Sequence, residues 1–131
     1  MSRILRVAGA QLAGTQKADT RRHTLDRLID LLEQAAADHA QLVVFPELAF
    51  TTFFPRWLFP TTQELDTWFE RGMPNPNTQP LFDRAGELNI GFNIGYAELT
   101  PEGKRFNTSI IVNPDGTLLG KYRKIHLPGS I

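Results

Sequence analysis

Leu42-Val43-Val44-Phe45-Pro46-Glu47-Leu48 sets the fold: four consecutive apolar residues, then a proline, then a carboxylate. The apolar run is typical of a central strand covered on both faces. Pro46 has no N–H and ends the hydrogen-bonded ladder, so Glu47 stands just past the strand's carboxyl end. Upstream, the spacing predicts a helix over roughly 20–39. Leu25, Leu28, Ile29, Leu32, Ala35 and Ala36 recur at i, i+3, i+4 and form one stripe, opposite Arg21, Arg22, Asp26, Asp30 and Glu33. Before it, Ile4, Leu5, Val7, Ala8, Ala10 and Leu12 predict a strand buried on both faces over 4–12. Strand, helix, strand at this spacing is a right-handed parallel βαβ unit.

Downstream the pattern changes. Residues 51–60 are irregular and aromatic, with Phe53, Phe54, Trp57 and Phe59. Thr61-Thr62-Gln63-Glu64 has the form of a capping box and predicts a short helix to about Arg71. After a loop over 72–77, Leu81, Phe82, Ala85 and Leu88 mark one face of a second helix over about 78–89. Residues 90–99 alternate: Ile90, Phe92, Ile94 and Tyr96 on one side, Gly91, Asn93, Gly95 and Ala97 on the other. The small-residue side admits close approach of another backbone or a substrate. A strand over 106–112, the turn Asn113-Pro114-Asp115-Gly116 and a returning strand over 117–125 complete an antiparallel meander. The expected class is α/β, a mixed sheet with helices on one face.

With 41% apolar and 21% charged residues in 131, the composition is that of one globular domain or part of a larger one. Fourteen Lys plus Arg balance fourteen Asp plus Glu, which gives no reason to expect nucleic acid or an anionic membrane as partner. No stretch approaches the roughly 18 apolar residues of a spanning helix, and no apolar leader follows Met1. The chain therefore reads as soluble and cytoplasmic. It has no cysteine, which excludes disulfides and thiolate metal sites, and its three histidines are scattered. No metal or cofactor is expected.

Glu47 is the first candidate for chemistry. Ligands of open α/β sheets sit beyond the carboxyl ends of strands. A carboxylate near apolar walls is expected to have a raised pKa, which suits a general base. Lys124 is the second. Tyr122 and Lys124 share one face of their strand and Lys121, Arg123 and Ile125 the other, so only one of the two lysines faces an interior site. An ammonium held there stabilises a developing oxyanion. Glu98 reads as a second carboxylate that positions Lys124, and His126 as a local hydrogen-bonding residue rather than a base.

The segments 43–48, Gly95-Tyr96-Ala97-Glu98, 106–112 and 120–129 resemble, in order and spacing, the amino-terminal part of the nitrilase, or carbon-nitrogen hydrolase, superfamily. Through Phe45-Pro46-Glu47-Leu48-Ala49, 51–57, 105–110 and 120–129 the resemblance is nearest, among its members, to the N-carbamoyl-D-amino acid amidohydrolases. It implies an α-β-β-α sandwich that associates through its helical faces. It also implies metal-free hydrolysis of a small carbamoyl or amide substrate. A cysteine thiolate would attack the carbon, with Glu47 as general base and Lys124 steadying the tetrahedral intermediate. Glu98 matches an additional pocket glutamate. His126, Asn107 and Phe54 lie in or beside the segments that carry the resemblance and are assigned as supporting or substrate-binding residues. In the carbamoylases the products are a D-amino acid, ammonia and carbon dioxide.

The departure from the family is the missing nucleophile. The family's cysteine follows the lysine motif by a few tens of residues, whereas Ile131 is the last residue here, and Ser130 lies in the wrong segment to replace it. The chain is therefore expected to be the amino-terminal part of a single hydrolase domain, a partial sandwich. Its expected partners are a homo-oligomeric copy or a carboxy-terminal half supplied separately. Two other readings stand beside it: a non-catalytic truncated paralogue or fragment, and a different amidase of the same superfamily.

Overall fold

The computed structural model describes residues 2–128, and Ser130 lies outside them. Five strands form one sheet in the order β1 (Val7–Gly9), β2 (Leu42–Val44), β3 (Gly91–Leu99), β4 (Arg105–Val112) and β5 (Leu118–Arg123). The pairs β1–β2 and β2–β3 are parallel, whereas β3–β4 and β4–β5 are antiparallel. The first crossover is α1 (Arg21–Ala37), as the leucine stripe predicts. Thr20 caps it, its hydroxyl accepting from the His23 N–H at 3.1 Å. The second crossover contains a 3₁₀ turn (Phe54–Arg56), α2 (Thr62–Asp66) and α3 (Gln79–Glu87).

One face of the sheet is closed. Val43, Phe92, Ile94, Tyr96, Ile110 and Val112 pack there against Leu25, Leu28 and Leu32 of α1 and Leu81, Phe82 and Ala85 of α3. Phe92 is central, edge-on to Phe45 and Phe82 with ring centroids at 6.3 and 5.1 Å. Arg84 joins the two helices across the surface through Glu33 at 2.7 Å. A second, smaller cluster closes the far end of β3. There Leu48, Phe54 and Ala97 pack with Trp57, Phe59, Leu65, Trp68 and Phe69.

The opposite face is open among the described residues, and this corrects the reading of the first two strands. Of the expected 4–12 strand only Val7–Gly9 is regular strand, with one further main-chain hydrogen bond at each end, from the Gln41 N–H to Arg6 O and from the Ala10 N–H to Val44 O. Ile4, Leu5 and Val7 are 86, 59 and 51% exposed rather than buried. β1 is an edge strand with one neighbour, and its apolar side chains on the open face have no layer above them. Val44 of β2 is partly exposed for the same reason, while Val43, pointing to the helices, is fully buried. The helix after Thr61 is also shorter than expected. Its cap forms, with the Glu64 N–H donating to the Thr61 hydroxyl at 3.2 Å, but the helix stops at Asp66. Glu70 cannot be helical because its main chain bridges the end of β3, donating to Ala97 O at 2.8 Å and accepting from Leu99 N–H at 2.9 Å. The hairpin turn is as read: the Asn113 N–H donates to Thr117 O at 2.9 Å, and Gly116 takes φ +83°.

Candidate active site

Beyond Val44 the chain leaves the regular ladder but stays against β3. The Phe45 N–H donates to Asn93 O at 2.8 Å, and the Ala49 N–H to Gly95 O at 2.9 Å. This contact needs a glycine. A Cβ at Gly95 would lie 2.9 Å from the Glu47 Cα and 3.1 Å from the Leu48 nitrogen. The turn also places Leu48 at φ 48°, in the left-handed region that a branched residue adopts at a cost. Buried Leu48 anchors the aromatic cluster and holds this turn, so Glu47 projects from the open face of the sheet.

Two further strands bring polar groups to the same point. Asn107 of β4 lies opposite Ala97. Lys124 follows β5, and its N–H donates to Asn107 O at 2.8 Å. Strand alternation turns both side chains to the open face. Asn107 Nδ2 donates to Glu47 Oε1 at 2.5 Å, and Lys124 Nζ donates to the same oxygen at 2.9 Å. Oε2 accepts no hydrogen bond from a described residue. Hydrogen bonds from Lys124 and Asn107 hold the Glu47 carboxyl below its ordinary range, outweighing the upward push of partial burial. This reverses the expected raised pKa: Glu47 is an ionised carboxylate, held by a cation rather than by apolar walls.

The three residues border a cleft of about 440 Å³ whose other walls include Asn93, Gly95, Ser109, Tyr122 and His126. They also border a larger, more apolar cleft of about 720 Å³ walled by the 53–60 loop, Phe106 and Leu127. Asn93, Ser109 and Tyr122 were not singled out in the sequence. The signal for them was alternation: Asn93 shares the face of Gly95, Ser109 that of Asn107 and Tyr122 that of Lys124. Asn93 Nδ2 donates to Ser109 Oγ at 3.0 Å and Ile110 O at 2.9 Å, fixing the floor of the cleft.

Two supporting assignments change, those of Glu98 and Phe54, and one expected contact, that of His126, is not seen. Glu98 is not in the cleft. It lies on the closed face, where Lys121, Arg123 and Thr108 surround its carboxylate, and Lys124 is not among its partners. The reason is again period two: Glu98 is in step with Tyr96 and not with Gly95. Phe54 is a packing residue, 3% exposed and stacked on Trp68 at 5.8 Å, with only part of its ring toward the larger cleft. His126 lines the smaller cleft, exposed, with no hydrogen-bond partner among the described residues. The expected local hydrogen bond is therefore not seen.

A βαβ start and an antiparallel meander make a mixed α/β sheet with Glu47, Lys124 and Asn107 gathered on its open face. Residues 6–131 match the family model described as carbon-nitrogen hydrolase, and the chain belongs to that family. It is 36% identical over 110 residues to the omega-amidase NIT2 of Homo sapiens, covering 80% of this chain and 37% of the relative. To the omega-amidase NIT2 of Xenopus tropicalis it is 36% identical over 112 residues, covering 82% and 38%. The chain thus spans about two fifths of the length of these curated relatives. Among solved structures it is similar to Saccharomyces cerevisiae Nit3, a member of branch 10 of the nitrilase superfamily. That match has a TM-score of 0.73 at 29% identity and covers 93% of this chain and 44% of that one. An amidase from Nesterenkonia sp. shares the fold with a TM-score of 0.71 at 23% identity, covering 96% and 44%. The mixed sheet with its helices is the nitrilase-type α/β fold.

Proposed function

We propose that this chain supplies the glutamate and lysine of an amidase site that hydrolyses a non-peptide C–N bond in a small amide. The observation that carries the reading is the asymmetry of the Glu47 carboxylate. Oε1 is occupied by Lys124 and Asn107, whereas Oε2 accepts from no described residue, and Glu47 borders the cleft. An ionised oxygen without a partner can take a proton. An ammonium beside it can stabilise the oxygen that becomes negative when a carbonyl is attacked.

The chemistry follows in steps. Glu47 accepts the proton of a thiol, and the thiolate attacks the amide carbon. The carbonyl oxygen gains charge beside Lys124 Nζ. The nitrogen leaves as ammonia or an amine with the proton returned from Glu47, and an acyl thioester remains. Water, deprotonated by Glu47, then releases the acid and the thiol. The 131 residues contain no cysteine, so the thiol in this proposal comes from a segment or chain outside them.

Similarity to relatives named omega-amidase supports a carboxamide as the substrate. The finer reading, hydrolysis of an N-carbamoyl-D-amino acid, is favoured by the aromatic 53–60 loop, which walls a cleft of about 720 Å³ beside the Glu47–Lys124 centre. That room fits an apolar substituent next to the scissile group.

The test is to join residues 1–131 to the cysteine-bearing remainder of a family member and follow ammonia release from ω-carboxamides and N-carbamoyl amino acids. Turnover that disappears in Glu47→Gln is expected, and the preferred substrate separates the two readings. Residues 1–131 by themselves are expected to release none. A folded, completed protein that is inactive on both substrate classes supports the non-catalytic alternative. Turnover by the 131 residues alone overturns the thiol mechanism.

A further inference from the structure

Glu98 is the most fully engaged charged group on the closed face. Its side chain is 10% exposed. Lys121 Nζ donates to Oε1, Arg123 spans both oxygens at 2.9 Å, and Thr108 Oγ1 donates to Oε2 at 2.7 Å. These contacts tie β3 to β5 across β4. The partners are immediate chain neighbours of the cleft residues: Thr108 follows Asn107, and Arg123 precedes Lys124. Each neighbour points to the opposite face of the sheet. Thr108 and Arg123 are also cross-strand partners, and the Lys124 N–H closes on Asn107 O at 2.8 Å.

We infer that Glu98 is a positioning residue: from the closed face it grips Thr108 and Arg123, and through them sets Asn107 and Lys124 over Glu47 on the open face. What this placement serves rests on the amidase reading above; the placement itself does not. β5 needs such a clamp because it is an edge strand, paired only with β4 and broken in register between Ile111 and Val112. Lys124 lies just past its end, where strands fray. The charged groups facing Glu98 are Lys121 and Arg123 of β5. Glu70, whose main chain bridges Glu98, directs its own carboxylate to Arg21 and to Asn75 at 2.7 Å.

The experiment reads the protonation of Glu47 rather than turnover. The side-chain carboxyl carbon of Glu47 is titrated by ¹³C NMR in the 131-residue chain, together with amide exchange at Lys124. In Glu98→Gln the Glu47 midpoint should rise toward the ordinary glutamate value of 4.5, and the Lys124 amide should lose protection. The sign is diagnostic. Removing a negative charge without moving anything would lower the Glu47 midpoint, whereas loss of Lys124 and Asn107 from Oε1 raises it. Thr108→Val changes no charge and keeps the side-chain shape, so it tests the same link if Glu98→Gln does not fold; a smaller rise is expected. Leu28→Val, in the core on the same side of the sheet, should leave the midpoint where it was.

An unchanged or lowered Glu47 midpoint in folded Glu98→Gln overturns the inference. So does an equal rise in Leu28→Val, which would reduce the effect to general loosening. Failure of the amidase reading would show as absent turnover in the completed protein with this titration unaffected, so the two failures are distinguishable.

Discussion

Glu47 and Glu98 stand at corresponding ends of neighbouring strands, each held by cations of β5 or its exit, yet their settings differ. The Glu98 side chain is 10% exposed and every oxygen is occupied, which lowers its pKa to about 2, chiefly through Arg123. The Glu47 side chain is 46% exposed, with both partners on one oxygen and none among the described residues on the other. A saturated carboxylate can hold strands together but has no lone pair to offer a reacting proton. A half-satisfied one can do chemistry because its neighbours fix it without filling it. The same contrast runs through the sheet: the face toward α1 and α3 is sealed, and the face that carries the cleft is open.

Four measurements would break or sharpen that contrast. The largest effect is expected in the sealed face. Phe92→Ala should cost about 3–5 kcal/mol in denaturant unfolding, while Tyr122→Ala on the open face should stay within about 0.5 kcal/mol. Equal losses would mean that both faces are packed. In a completed, active protein, Lys124→Ala should lower kcat by about 10²–10³, or about 2.7–4 kcal/mol. Lys121→Ala, on the face of Glu98, should remain within about tenfold of the parent, given three remaining contacts to that carboxylate. The reverse order would place the chemistry on the wrong face.

The third measurement is pH dependence. The folded Glu98 value, about 2, lies below its ordinary 4.5. Its contribution is therefore complete above pH 4.5 and is lost as pH falls from there to about 2. Hydrogen bonds to charged groups contribute about 1.5–3 kcal/mol, so urea midpoints should drop across this window in the parent and less in Glu98→Gln. Equal drops in both would remove Glu98 as the sealed, structural carboxylate. The smallest effect is expected from Gly95→Ala, where the new methyl pushes on the backbone of Glu47 and Leu48. Overpacking of this kind costs about 1–3 kcal/mol, and a raised Glu47 midpoint should accompany it. A neutral Gly95→Ala would show that the 46–48 turn does not depend on that close approach.

Several elements were legible because their signals are local. The leucine stripe of α1, the Thr61 cap, the Asn113–Gly116 turn and the alternation of β3 depend on neighbours within a few residues, and all were observed. The early end of α2 was not legible, since Glu70 is drawn into a bridge with a strand nearly thirty positions later. Nor was the exposure of Ile4, Leu5 and Val7, because an apolar run reports that side chains are greasy and not that a layer covers them.

The candidate site divides along the same line. The sequence by itself named Glu47 and Lys124, separated Lys124 from Lys121 by strand alternation, and identified the family through ordered segments. Only the tertiary structure decided what these groups touch: Asn107 joins Glu47 and Lys124, while Glu98 turns to the other face and pairs with Arg123 and Lys121. Alternation fixes which residues share a face within one strand. The register between strands decides which of those faces meet, and the contacts made there set whether a carboxylate is sealed or left with one oxygen unfilled.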